Sequence, residues 1–131
     1  EFRKFVSMLK VASCGRTTII FVHNLSYEIQ WLSGIFKFEN ENIFAFYDIA
    51  PQAPVHILVI PKAHIESVDA INEENSKIVA EIFENIPRIA KEAGITNGYR
   101  VISNCGDDAC QTVHHLHFHI VGGAQLSDKM A

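Results

Sequence analysis

No Cys-x-x-Cys pair occurs in this chain, and Cys14, Cys105 and Cys110 have no framework spacing. An odd count without such spacing predicts reduced thiols inside a cell and argues against a structural zinc knuckle. No apolar run approaches the ~18 residues of a membrane span, so no membrane partner is expected. A dense basic block is also missing: 11 Lys and Arg stand against 15 Asp and Glu, a formal net charge of −4. Nucleic-acid polymers recruit Lys and Arg to their phosphates, so that partner class is not expected either. A small anion remains open, because backbone amides bind one without formal charge. No repeat or low-complexity segment interrupts the 131 residues, a length that suits one domain with a real core.

What the chain concentrates is histidine. Four of its seven histidines fall in Gln111-Thr112-Val113-His114-His115-Leu116-His117-Phe118-His119-Ile120-Val121. Leu116, Phe118 and Ile120 alternate with His115, His117 and His119, which predicts a half-buried strand over 113–121. Gly122-Gly123 ends it. One face then goes to the core, and the other carries three imidazoles spaced roughly 6.6 to 6.8 Å apart. Three uses of such a row compete. It can be a polar outer face. It can be a metal site, since His-x-His on a strand places two nitrogens on one zinc. It can do acid–base or nucleophilic work at an anionic centre, imidazole being the side chain nearest its pKa at neutral pH.

The rest of the chain supplies a scaffold. Residues 36–39 read as a short strand, 40–42 as its turn and 43–49 as a second strand. Two prolines make 51–54 a loop. Residues 55–60 alternate little, which predicts a central strand covered on both faces, with His56 inside it and Pro61 stopping it. A long helix is predicted from about Asn72, with Glu73 and Glu74 in its first turn. Its apolar stripe is Ile78, Ile82, Ile86, Ile89 and Ala93, with a kink at Pro87 and a stop at Gly94. Strands 99–103 and 113–121 complete an α+β domain: an antiparallel sheet of about five strands with one long helix. The 104–112 connection is a long hairpin loop whose amides and Thr112 hydroxyl are placed to hold an anion, and Cys105 and Cys110 read as buried, inert thiols.

The N-terminal stretch fits this plan poorly. Glu1-Phe2 reads as a cloning scar, and residues 2–27 carry Arg3, Lys4, Lys10 and Arg16 without an acid. A basic leader, a mitochondrial targeting segment and a cloning-derived segment all match that composition. Residues 17–22 have strand propensity, and 26–34 form a short helix between a Ser26 cap and a Gly34 stop.

The Gln111-Thr112-Val113-x-His115-x-His117-x-His119 run resembles the signature of the histidine triad family. Asp48-Ile49-Ala50-Pro51-Gln52-Ala53-Pro54-Val55-His56 and Ile60-Pro61-Lys62-Ala63-His64 resemble its nucleotide-binding branch, the purine nucleoside phosphoramidases. The likeness runs from about Ile35 to Gly123, dividing the chain into an atypical segment, 1–34, and a histidine triad (HIT) domain, 35–131. It implies that His117 is a covalent nucleophile, that His119 contacts the phosphate and leaving group, and that His115 and His56 orient the cluster. It implies that Gln111 and Thr112, with Asn104 nearby, hold phosphate oxygens beside His117 and His119. Asp48 would grip the ribose, and Phe46 and Ile49 would line the purine pocket. His64 matches a family position with no assigned role. The implied chemistry uses no metal and no cofactor. It converts a purine nucleoside phosphoramidate or acyl-nucleotide to an AMP- or GMP-type product, in a homodimer. Dinucleoside polyphosphate hydrolysis and a nucleotide-binding adaptor are the alternatives. The usual apolar helix, Ile-Pro turn and Cys-x-x-Cys are missing from 1–34, and the tail lacks the Trp-Pro-Pro of animal members. The chain therefore looks like a bacterial-type member, cytoplasmic rather than mitochondrial.

Overall fold

The computed structural model describes residues 10–13, 16–19 and 37–130. Two short strands, β1 (Lys10–Ser13) and β2 (Arg16–Ile19), pair antiparallel as a separate two-stranded sheet. The expected 17–22 strand thus coincides with β2 as far as Ile19. The expected 26–34 helix lies outside the described residues.

The main sheet has five strands: β3 (Lys37–Glu39), β4 (Ile43–Tyr47), β5 (Val55–Pro61), β6 (Tyr99–Ile102) and β7 (Phe118–Gly122), in the order β3-β4-β5-β7-β6. Every neighbouring pair is antiparallel. The α+β class and the strand count are as the sequence predicts. β5 is central, and all of its residues after Val55 are buried. That burial on both faces explains its weak alternation.

One helix, α1 (Ser76–Glu92), covers one face of the sheet. It buries Ile82, Ile86, Ile89 and Ala90 against Ile43, Ala45, Ile57, Val59, Phe118 and Ile120. Each isoleucine so buried contributes about 1.5–3 kcal/mol. The helix starts later than expected. Asn75 is its N-cap, and Asn72 organises the turn before it, its side chain accepting from the amides of Glu74 and Asn75. Glu73 and Glu74 therefore precede the helix. α1 continues unbroken through Pro87. It ends in a Schellman arrangement: Ile95 N–H donates to Ala90 and Gly94 N–H to Lys91, with Gly94 at φ +85°.

The clearest departure concerns β7. The predicted strand over 113–121 begins only at Phe118. The β5–β7 ladder stops at the Val59–Phe118 pair. Two residues further along β5 stands Pro61, which has no amide hydrogen to continue it. Leu116 N–H instead donates to Ile65 O at 2.6 Å. One thiol expectation also changes: Cys105 is free, whereas Cys110 is disulfide-bonded. Disulfide formation depends on separation in space, which a count of cysteines does not reveal.

Candidate active site

β-Strand parity assembles the first half of the site. His119 pairs with Leu58 on β5 and with Ile102 on β6, while His56 pairs with Val121. His56 and His119 are therefore diagonal neighbours on the face opposite α1. Phe46, paired with Leu58, lies on that same face and is buried beside Phe44. Asp48 follows β4 immediately, and its N–H donates to His56 O at 2.9 Å, which ties the carboxylate to the histidine pair. Its Oδ1 accepts from Ala50 N–H at 2.8 Å, and its Oδ2 lies 3.5 Å from His56 Nε2. Ile49 is partly buried in the same loop.

Hydrogen bonds then fix the protons. Gln52 N–H donates to His56 Nδ1 at 3.1 Å, so neutral His56 carries its hydrogen on Nε2. That Nε2–H donates to His119 Nδ1 at 2.8 Å. Neutral His119 consequently carries its own hydrogen on Nε2. Burial pushes His119 down to about 3, with the neighbouring charges of His117 and His56 acting in the same direction. Burial also lowers His56, partly opposed by Asp48.

His117 is set differently. It precedes β7, and its Nδ1 lies 2.7 Å from the carbonyl of His115. A carbonyl only accepts, so Nδ1 bears the hydrogen and Nε2 the lone pair. Burial lowers the pKa of His117, partly opposed by that carbonyl and by Asp48. Its ring stands edge-on to His119, with centroids 5.1 Å apart. Ser103, just past β6, donates its hydroxyl to His117 O at 2.9 Å. Sequence reasoning missed Ser103 and Gln52. Only their positions beside predicted strand ends hinted at them.

The expected row of three imidazoles on one strand face does not form. Only His119 lies in β7. His115 is 2% exposed and its ring points away: Nε2 donates to Pro61 O at 2.8 Å. Its contribution to the cluster is its backbone carbonyl.

The 104–112 loop is braced from within. Gln111 Oε1 accepts from Gly106 N–H at 3.0 Å, and Gln111 Nε2 donates to the carbonyls of Glu66 and Val113. Asn104 Nδ2 donates to Ala109 O. Of these two amides, expected to hold phosphate, Asn104 donates within the loop and Gln111 to the backbone outside it, at Glu66 and Val113. Thr112 is exposed.

Asp48, His56 and His119 offer ligand atoms within 4.8 Å of one another, which revives the zinc alternative. The fit is poor. A metal on His56 Nε2 requires the hydrogen on Nδ1, where Gln52 N–H already donates.

Comparison with known proteins agrees with this fold. The HIT domain profile matches residues 34–126. An uncharacterised HIT-like protein of Rickettsia prowazekii is 47% identical over 91 residues, covering 68% of this chain and 76% of its own. A HIT family hydrolase from Clostridium thermocellum superimposes with a TM-score of 0.69 at 46% identity, covering 72% of this chain and 83% of its own. A histidine triad nucleotide-binding protein from Candida albicans does so with a TM-score of 0.55 at 27% identity, covering 73% of this chain and 77% of its own.

Proposed function

Because the chain belongs to the HIT domain family, we propose that its histidine cluster hydrolyses purine nucleoside phosphoramidates or acyl-nucleotides through a nucleotidyl-histidine, releasing a nucleoside monophosphate. The observation that carries this reading is the His117 Nδ1–His115 O contact of 2.7 Å, which leaves a neutral imidazole with its lone pair on Nε2. Such a nitrogen can attack the α-phosphorus. As the N–P bond forms, the bond from phosphorus to the amine breaks, and the amine takes its proton from a water held by His119 Nε2–H. The hydroxide so formed attacks phosphorus, the bond to His117 breaks, and the nucleoside monophosphate leaves with His117 neutral again. Thr112 and the loop amides serve the phosphoryl oxygens. Asn104 and Gln111 hold that loop in shape.

A substrate panel tests the proposal. Turnover of an adenosine phosphoramidate well above that of a dinucleoside polyphosphate is expected. The reverse order favours the polyphosphate hydrolase, and tight nucleotide binding without turnover of either favours an adaptor.

Asp48 takes the ribose. One of its oxygens is occupied by Ala50 N–H, and the carboxylate retains acceptor capacity for two hydroxyls. Removing the 2′-hydroxyl should therefore weaken binding by roughly 1–3 kcal/mol. Calorimetry giving equal affinities for AMP and 2′-deoxy-AMP removes this role.

A homodimer and a cytoplasmic location complete the reading. Phe83 on α1 is 48% exposed although its ring packs edge-on against Phe118, and Tyr99 and Ile102 on the edge strand β6 are 38% exposed. A second copy is their natural cover. Light scattering should give twice the 14.7 kDa chain mass, and Phe83→Glu should reduce it to one chain. A monomeric wild-type protein at micromolar concentration overturns this part.

A further inference from the structure

His64 has no part in the chemistry above, yet it contacts His115, whose ring is turned away from the site. His64 is exposed, and its Nδ1 lies 3.2 Å from Nδ1 of buried His115, with ring centroids 5.2 Å apart. His115 Nε2 donates to Pro61 O, so its Nδ1 must accept, and the hydrogen in the 3.2 Å contact belongs to His64. From His115 the next contact is its own carbonyl on His117 Nδ1. The chain of contacts therefore runs from His64 Nδ1–H to the His115 ring, through the His115 backbone, to the imidazole that attacks phosphorus.

We propose that His64 is a positioning residue: by donating from Nδ1 to His115, it fixes the ring and backbone of His115 so that the His115 carbonyl orients His117 for attack. It is not a proton relay. The single N–H of the His115 ring ends on the Pro61 carbonyl, which has no proton to pass on, so no path leads from His64 to the phosphate. The segment His64 steadies also lacks strand support, because the β5–β7 ladder has already ended at Val59 and Phe118. Without the His64 donor, the buried Nδ1 of His115 loses that contact. The ring and its peptide keep the holds of Pro61 O on Nε2 and Ile65 O on Leu116 N–H, but the carbonyl that faces His117 is less firmly set.

This inference rests on His117 being the nucleophile, and the test separates the two. Asparagine places an amide N–H where histidine has Nδ1, and glutamine places one nearer Nε2. His64→Ala should lower the single-turnover rate of nucleotidyl-enzyme formation about tenfold with KM and AMP affinity unchanged. His64→Asn should recover most of that rate, and His64→Gln should not. An unchanged rate in His64→Ala, or recovery by Gln rather than Asn, overturns the proposal. The latter result points instead to substrate contact through Nε2. Nitrogen NMR of the wild-type protein supplies a reading that needs neither turnover nor the alanine variant. His115 should be neutral with its hydrogen on Nε2, and His64→Asn should preserve that tautomer. His115 found with its hydrogen on Nδ1 also overturns the proposal. Absence of any nucleotidyl adduct on wild-type His117 removes the function proposed above, whereas the tautomer measurement stands independently of it.

Discussion

Replacing His117 by alanine should lower turnover of an adenosine phosphoramidate by roughly 10⁴-fold or more, the scale of other nucleophile deletions. AMP affinity should change little, since Asp48, Phe46 and the loop remain. The size of the effect follows from the division of labour in the cluster. His119 and His56 share a hydrogen bond that commits His119 Nδ1 as an acceptor and turns its N–H outward. His115 is committed to Pro61. Of the three triad rings, His117 alone has its lone pair on Nε2, placed by a backbone carbonyl. Replacing His119 by alanine should be milder where the leaving group needs no proton. Intact-protein mass spectrometry of quenched wild-type turnover, run with a chelator present, should detect a nucleotidyl adduct mapping to His117. Chelator-sensitive turnover without an adduct, restored by Zn²⁺ and lost equally with any of the three histidines, would falsify the covalent reading in favour of metal-activated water.

The second large effect is on stability. His56, His115, His117 and His119 all have lowered pKa values, and in each the first cause is burial. In the unfolded chain an imidazole takes up its proton near pH 6.5. In the folded protein His119 does so only at about 3. Between those values the unfolded state binds more protons, so folding stability is complete above pH 6.5 and falls as the pH drops toward the folded pKa. For His119 alone the loss at pH 5 is roughly 2 kcal/mol. The other three add losses of the same sign. The urea midpoint should accordingly drop between pH 7.5 and pH 5.0, and His119→Asn, which keeps an acceptor facing His56 but does not titrate, should flatten the slope. A midpoint that does not move over this range contradicts the buried, neutral cluster.

The scaffold was legible because its signals are local. Alternation, paired prolines and the Ile82–Ile86–Ile89 stripe each report on a few neighbouring residues, and the sheet and helix follow from them. The candidate histidines were legible as residues, and their arrangement in space much less so. Alternation through 113–121 places three imidazoles on one face only if the strand persists, and it does not. The reason stands on another element: Pro61 lacks the amide that would carry the ladder past Phe118. A proline at the end of one strand thus decides the direction of a histidine ring 54 residues later. The meeting of His56 with His119 depends on cross-strand register, which no spacing within one segment contains. The proton positions depend on single donors such as Gln52 N–H, whose location is a property of the folded loop. The two amides of the 104–112 loop are a further case. Asn104 and Gln111 have the right chemistry for a phosphate, and the fold also gives them backbone partners that no spacing reveals: Ala109 O for Asn104, and Glu66 O and Val113 O for Gln111.

The run from Pro61 to Glu66 carries His115, Leu116 and Gln111 on four successive contacts: the Pro61 carbonyl, His64 Nδ1, the Ile65 carbonyl and the Glu66 carbonyl. For anyone reshaping the protein, this makes chain length unequally negotiable in the two segments. One residue inserted or deleted between 61 and 66 shifts each following peg by a position and breaks the set of contacts that holds Gln111, His115 and Leu116. Residues 107–109, held mainly by their own short turn, can be lengthened or exchanged without disturbing those pegs. Insertions and library positions belong there, and grafts from relatives should be cut so that 61–66 and 111–117 travel together.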